Sequence, residues 1–303
     1  MRHCPICKEL VATPVAETPR AELVKRWRRT FNVDIDSELV GLDPVTEWRC
    51  PRCGLGFYPP EGAGSERLYE QLCRFPWYYI PSKWEHAMAM ADLRPGDRVL
   101  EVGCGVGAFV ARLRTAGWDA NGLELNSAAV AQARSAGLPV TNELIETVAA
   151  QEPGAFDMVC SFEVLEHVAE PFDFIAQQVR ALRPGGRLVI GVPNQDSYIR
   201  HEDNLLNMPP HHVSRWSAQA LRHLADVFPL RLIRLANEPL QRYHVRGYTR
   251  VLLQPLRQLA LPGRAAAWAL GGAAALALTG TGLHRRLTGQ TIYACLERTD
   301  AAA

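Results

Sequence analysis

Residues 96–117, GDRVLEVGCGVGAFVARLRTAG, constrain the fold more than any other stretch of this chain. A short apolar run, Arg98 to Val102, leads into alternating glycines and then a helical pattern with apolar Phe109, Val110 and Leu113, closed by Gly117. That order reads as a strand, a tight turn and a helix whose apolar stripe packs back on the sheet. The alternation continues with strand DANGLEL, helix SAAVAQARSAG, strand LPVTN, helix IETVAAQ, strand FDMVCSF, helix PFDFIAQQVRAL and strand GRLVIGVP. Such alternation predicts an α/β fold: a Rossmann-like, doubly wound, mostly parallel sheet covered on both faces and joined by right-handed crossovers. A ligand of such a sheet belongs at the carboxyl ends of the strands, beside the turn after the first.

Gly103, Gly105 and Ala108 satisfy G-x-G-x-x-[GA], so the glycines alone permit a nicotinamide dinucleotide. The fuller string is E-x-G-x-G-x-G, at Glu101, Gly103, Gly105 and Gly107, and Glu124 ends the next strand. A carboxylate there can accept both ribose hydroxyls of a nucleoside ligand, the plainer reading being an exposed acid at a strand end.

Four strings in this order, VLEVGCGVGAF, GLELN, FDMVCSFEVLEHV and LRPGGRLVIGVPN, resemble the class I S-adenosylmethionine-dependent methyltransferases over roughly residues 85–240. The last two separate the chain from dehydrogenases. The resemblance implies that Glu101, Gly103, Gly105 and Gly107 surround the methionine part of S-adenosylmethionine and that Glu124 holds the ribose. It places Asn142 or Glu143 at the adenine, and Phe162 and Glu163 on the side of the methyl donor and acceptor. For His167 it implies a structural role near the cofactor ahead of a catalytic one. The family also places a final strand, here QTIYACLERT, antiparallel at the sheet edge.

The eight cysteines include two C-P-x-C pairs, Cys4/Cys7 and Cys50/Cys53. Two such turns supply the four sulfurs of a tetrahedral zinc site, and an ion closed by four sulfurs has no open position for catalysis. A redox pair would need only one C-x-x-C beside a βαβ unit. The expectation is structural zinc in a zinc-ribbon-like module over residues 1–60. Within it, residues 17–30 read as a helix with Lys25, Arg26, Arg28 and Arg29 near its end, a charge placement that suits the helix dipole.

Downstream of the last parallel strand, NMPPHHVSRW sets His211 and His212 behind two prolines. A hydroxyl or acidic C–H acceptor must lose a proton as a methyl group arrives, and histidine is suited to take it. Relatives of this group carry similar strings flanking the substrate pocket, so the two histidines are the candidate catalytic residues. The alternative has one cap the helix beginning near Ser217 and the other pack on Trp216. A metal role is disfavoured for the pair, because adjacent side chains diverge and no acidic partner follows at helical spacing. The aromatic run FPWYYIPSKW, residues 75–84, reads equally as a lid over the cofactor or as packing for the zinc module.

Residues 265–283 carry no charge, are rich in alanine and glycine, and are flanked by Arg264, Arg285 and Arg286; the preceding stretch 249–263 is amphipathic and broken by Pro255 and Pro262. A chain that must return to the sheet argues against a single crossing and for a C-terminal hydrophobic helical insertion lying on a membrane, covering a greasy acceptor, or packed on the core. The expected organisation is therefore the module at 1–60, an aromatic helical lid or linker at 61–95, the S-adenosylmethionine-binding core at 96–240, and the insertion with the final strand at 241–303. An N-terminus without an apolar leader points to the cytoplasm, with residues 250–284 as a candidate peripheral contact at the inner membrane face. A net charge of +1 disfavours a nucleic-acid partner. The expected function is methyl transfer to an oxygen or carbon of a small molecule, lipid-linked or sugar-like acceptors included. A zinc-ribbon RNA methyltransferase and a non-catalytic S-adenosylmethionine-binding module are the alternatives; against the first, SFEVLEHV is not the [DN]-P-P-[YF] string typical of amino-group methylation on bases.

Overall fold

The computed structural model describes residues 1–11, 13–257 and 261–299. Seven strands build the main sheet: β1 (Arg98–Val102), β2 (Asp119–Leu123), β3 (Val140–Thr141), β4 (Phe156–Phe162), β5 (Leu182–Pro193), β6 (Leu230–Pro239) and β7 (Thr288–Arg298). Their spatial order is β6-β7-β5-β4-β1-β2-β3. The neighbouring strands from β3 across to β5 pair in parallel, while β7 runs antiparallel to both β5 and β6.

The expected crossover helices are present: α1 (Ala108–Thr115), α2 (Ser127–Ser135), α3 (Ile145–Gln151) and α4 (Pro171–Ala181), followed by α5 (Ala218–Val227). Phe109, Val110 and Leu113 of α1 are buried as the apolar stripe requires. Strand β3 keeps only two of the five residues of LPVTN, and β6, which no alternation in the sequence announced, is only partly buried along most of its length as the edge strand, with Arg231, Arg234 and Asn237 exposed. Because the β1 and β4 strands lie side by side, the turn after β1 and the SFEVLEHV segment after β4 open onto one crevice.

The N-terminal module holds two hairpin-like turns. The pair Arg2–His3 and Leu10–Val11 flanks Cys4 and Cys7, and Val45–Arg49 with Gly56–Phe57 flanks Cys50 and Cys53. The helix expected over 17–30 runs Arg20–Phe31, preceded by a strand, Pro14–Thr18, that pairs with Val45–Arg49. A four-stranded sheet results, and its fourth strand is Ser214–Arg215, lent by the chain just after His211 and His212. Cys4, Ile6, Cys50, Leu55 and Phe57 share one apolar cluster with Val159, Leu165, Trp216 and Leu221, so module and main sheet bury a common core.

Toward the C-terminus, helices Val245–Leu252, Gln254–Arg257 and Leu261–Thr281 stand between β6 and β7. Residues 258–260, part of the amphipathic stretch, lie outside the described residues. Among those described, no helix is long and apolar enough to cross a membrane. Leu270 and Leu276 on the long helix are exposed, while Ala275 packs with Leu240 and Val245.

Candidate functional site

The turn after β1 needs glycine for reasons of space. Gly103 and Gly105 have φ of +75° and +55°; a methyl group on Gly103 would stand 2.4 Å from Val164 and one on Gly105 2.8 Å from the Tyr79 ring. With that conformation the Gly103 and Cys104 amides both donate to the Leu123 carbonyl, at 2.8 and 3.0 Å. Gly105 N–H donates to Glu124 Oε2 at 2.8 Å, and Asn126 N–H donates to Glu124 Oε1 at 2.8 Å. Glu124 thus ties the turn after β1 to the turn after β2, and each of its oxygens retains a lone pair for a ligand. A cavity of about 630 Å³ opens here, walled by Val102, Glu124, Leu125, Glu143, Leu144 and Ile145. Of the two residues after β3, Glu143 borders this cavity and Asn142 does not, both being exposed.

A second cavity of about 320 Å³ adjoins the first, sharing Gly103, Glu163, His167, Tyr78 and Tyr79. The aromatic run serves both purposes: Tyr78 and Tyr79 wall both cavities, Trp77 and Trp84 border the second, and Phe75 and Trp77 stack on each other and meet Phe31 of the module. Phe162 lines the second cavity, packed on Phe109 and His86, which line it too. Glu163 adopts φ +57°, an uncommon conformation for a side chain of its size, and accepts from Thr291 Oγ1 at 3.4 Å.

Six glutamates border this second cavity: Glu85, Glu101, Glu163, Glu166, Glu202 and Glu238. Burial pushes Glu101 and Glu163 up to about 8, with neighbouring Glu85 adding to the effect on Glu163, and Glu238 up to about 7. Lys83 is the one lysine or arginine among the described lining residues, and its Nζ donates to the Phe162 carbonyl at 3.2 Å. Such a wall favours a ligand bearing positive charge. Glu101 Oε2 is buried without a partner, aimed where the methionine end of the cofactor, with its ammonium and sulfonium, is expected. A carboxyl whose folded pKa is raised contributes stability that is full below the unfolded value and lost as pH rises through about 8. A cation restores what ionisation costs, so affinity for S-adenosylmethionine is expected to rise from pH 6.5 toward 8.5. Calorimetric titration of wild type and Glu101→Gln checks this: the variant should show a shallower rise, the remainder belonging to Glu163 and Glu238, and an equal rise in both would refute the role of Glu101.

His211 and His212 reach the same cavity from the opposite side, beside His167. The segment carrying them is laced to the turn after β4: Val213 N–H donates to the Glu166 carbonyl at 2.8 Å, and Ser214 Oγ to that of Leu165 at 3.3 Å. Neither histidine caps α5, a task done by Ser217, whose side chain accepts from the Ala220 amide. The two rings also do not diverge; they stack at 4.6 Å with 21° between planes, because the backbone here is neither helix nor strand. His211 Nδ1 donates to the Leu206 carbonyl at 2.9 Å, leaving Nε2 buried and unpartnered. His167 Nδ1 donates to the His211 carbonyl at 2.6 Å. Burial holds all three imidazoles neutral, His167 at about 4 and the pair well below the ordinary value.

Comparison with known proteins agrees with this geometry. Residues 77–235 match the family described as a methyltransferase domain, slightly more than half of the chain. The chain belongs to this methyltransferase family. Relatives include ubiquinone biosynthesis O-methyltransferases of Burkholderia thailandensis, 34% identical over 34% of this chain and 47% of that protein, and of Xanthomonas oryzae pv. oryzae, 34% identical over 38% and 50%. The chain thus spans about half the length of the curated relatives it matches. A chain of the Haloferax volcanii complex containing the Trm112 methyltransferase activator shares the fold, with 18% identity, a TM-score of 0.50, and coverage of 73% of this chain and 91% of that one. S-adenosylmethionine is the cofactor of this methyltransferase class, and the glycine turn, the Glu124 carboxylate and the orphaned Glu101 oxygen fit it.

The chain carries its four paired cysteines as one cluster. Sγ atoms of Cys4 and Cys53 lie 3.6 Å apart, those of Cys7 and Cys50 3.4 Å, and all four fall within 4.8 Å of one another. A zinc–sulfur bond of about 2.3 Å implies tetrahedral sulfur separations of roughly 3.8 Å, so the set fits zinc. The two turns match in detail: Lys8 and Gly54, each following the second cysteine of its pair, both have positive φ, and their amides donate to the carbonyls of Cys4 and Cys50.

Several lining residues escaped the sequence reading. Glu166 lies inside the quoted SFEVLEHV string, but nothing local marks it off from a solvated acid. Lys83 and Glu85 sit at the start of helix Trp84–Ala91, Glu238 ends β6, and Thr291 belongs to β7. These elements meet only through the tertiary fold.

Proposed function

We propose that this chain transfers a methyl group from S-adenosylmethionine to an oxygen of a small-molecule acceptor. The observation that carries the reading is the junction of two cavities at Gly103 and Glu163: one bounded by Glu124 and suited to a nucleoside, the other ending on neutral imidazoles. Bound across that junction, the cofactor supplies an electrophilic methyl carbon on sulfonium sulfur, and the electron pair of the broken bond stays on sulfur. No acid is needed at the leaving group. The acceptor must shed a proton, and the imidazoles with Glu166 provide the polar face on which it leaves. Relatives named as O-methyltransferases support oxygen ahead of carbon.

The exposed Leu270 and Leu276 favour a second element of the proposal, contact of helix Leu261–Thr281 with a lipid-like acceptor or membrane surface. RNA is less well supported, since Arg26 pairs with Asp203 and Arg28 with Asp34. Purified protein, methyl-labelled S-adenosylmethionine and cell extract divided into lipid, small polar and RNA fractions provide the test. Label in the lipid fraction supports both elements, and label in the small polar fraction supports the first and removes the second. Label in RNA, or none in any fraction despite cofactor binding, sinks the proposal in favour of the RNA enzyme or the non-catalytic module.

A further inference from the structure

Glu166 is 1% exposed, yet neither of its carboxyl oxygens has a hydrogen-bond partner. Oε1 stands 3.9 Å from His167 Nε2 and 3.9 Å from His212 Nε2. That is too long for a hydrogen bond. It is close to the separation of two donor atoms that share one ion, about 3.4 Å for tetrahedral bonds of about 2.1 Å.

The orientation of the rings points the same way. His211 and His167 each spend Nδ1–H on a backbone carbonyl, Leu206 and His211 respectively, and so turn a lone pair at Nε2 inward. A histidine that ligates a metal commonly donates its other ring N–H to a carbonyl, which fixes tautomer and angle. One ligand atom from each of His167, His211 and His212 falls within 4.8 Å of the other two. Tyr69 supports the arrangement by donating its hydroxyl to the His211 carbonyl at 3.4 Å. Unlike the cysteine cluster, this one borders the acceptor cavity; the three imidazoles that cluster most tightly leave the fourth position to Glu166 or to an outside oxygen, and with Glu166 bound an outside oxygen enters as a fifth ligand.

We propose that His167, His211 and His212, with Glu166, bind a divalent transition metal of the kind imidazole nitrogen favours, zinc or iron(II), at the wall of the acceptor cavity. Resting on the methyl-transfer reading, the ion's task is to hold the acceptor oxygen and lower its pKa, so that the oxygen gives its proton to water and stands ionised beside the methyl donor, the ligating imidazoles and Glu166 acting through the ion and not as the base. The acceptor class narrows to hydroxyls able to ligate a metal, phenols and enediols among them.

Cobalt(II) titration of the full chain, stripped of metal, tests this by absorbance. Ions entering the cysteine cluster give intense thiolate charge-transfer bands, and ions among imidazoles give only weak visible bands. Wild type should take up a further equivalent after the thiolate bands saturate, while His212→Gln and Glu166→Gln should lose that equivalent and keep the thiolate bands. Retained thermal stabilisation by S-adenosylhomocysteine shows that each variant is folded. Uptake in wild type that ends when the thiolate bands saturate overturns the metal site, and it does so without altered variants. In that case S-adenosylhomocysteine binding with chelator-insensitive turnover leaves the methyl-transfer reading standing; loss of cofactor binding with the further equivalent intact would remove that reading alone.

Discussion

Glu124→Ala is expected to erase the stabilisation that S-adenosylhomocysteine confers on the wild-type protein. At about a hundred times its dissociation constant a ligand specific for the folded state adds roughly 2.7 kcal/mol. The variant loses more than a contact to ribose. Glu124 accepts from both Gly105 and Asn126, so its removal leaves two amides at the mouth of the cavity unpaired and frees the glycine turn from the turn after β2. Thermal unfolding with and without ligand reads the effect directly. Glu124→Gln separates the two contributions: the amide oxygen can still accept one of the two N–H groups, but the other position now carries a donor. A partial shift in Glu124→Gln and none in Glu124→Ala is the expected pattern. A full shift in Glu124→Ala would place the nucleoside elsewhere.

The contrast between Glu124 and Glu166 shows which parts of a site a sequence discloses. Glu124 is legible because its partners are local in topology: the turn after one strand and the start of the next helix, whose spacing the βα unit sets. The order of the main sheet is legible for the same reason, strand–helix alternation leaving few ways to close it. Glu166 has no such signal. Its meaning depends on His211 and His212, some forty-five positions downstream, arriving through backbone bonds from Val213 and Ser214 to the turn after β4. The expectation that neighbouring histidines diverge holds for a helix or a strand. The segment 211–213 is neither, so its rings stack. The four-stranded sheet of the module was illegible on similar grounds, because Ser214–Arg215 is too short to show a strand period and pairs with residues more than 150 positions away.

That borrowed strand gives the cysteine cluster a consequence beyond local stability. Arg215 sits at its centre: Nη1 meets Glu47 at 2.7 Å, while Nε and Nη2 donate to the Asn207 carbonyl at 3.2 and 3.0 Å. The Tyr58 amide donates to the Val213 carbonyl at 2.9 Å, and Gln219 Nε2 reaches the carbonyl of Arg52, between Cys50 and Cys53. The module is thus the outer wall against which the histidine segment is held, whereas the contacts of Glu124 involve no module residue. Cys4→Ala or Cys50→Ala removes one of the four sulfurs that fit zinc. In small zinc domains metal binding supplies on the order of 10 kcal/mol of folding free energy. If the shared core retains more than half of that, a loss of about 4 kcal/mol at about 2–4 °C per kcal/mol lowers the unfolding midpoint by roughly 10 °C. Methyl transfer should fall with it, because His211 and His212 lose their wall, while S-adenosylhomocysteine should bind the folded variant within a few-fold of wild type. Measured together, midpoint, turnover and dissociation constant separate the possibilities: a large drop in midpoint with turnover intact would make the module an appendage, and loss of ligand binding along with turnover would show that it supports the nucleoside cavity as well.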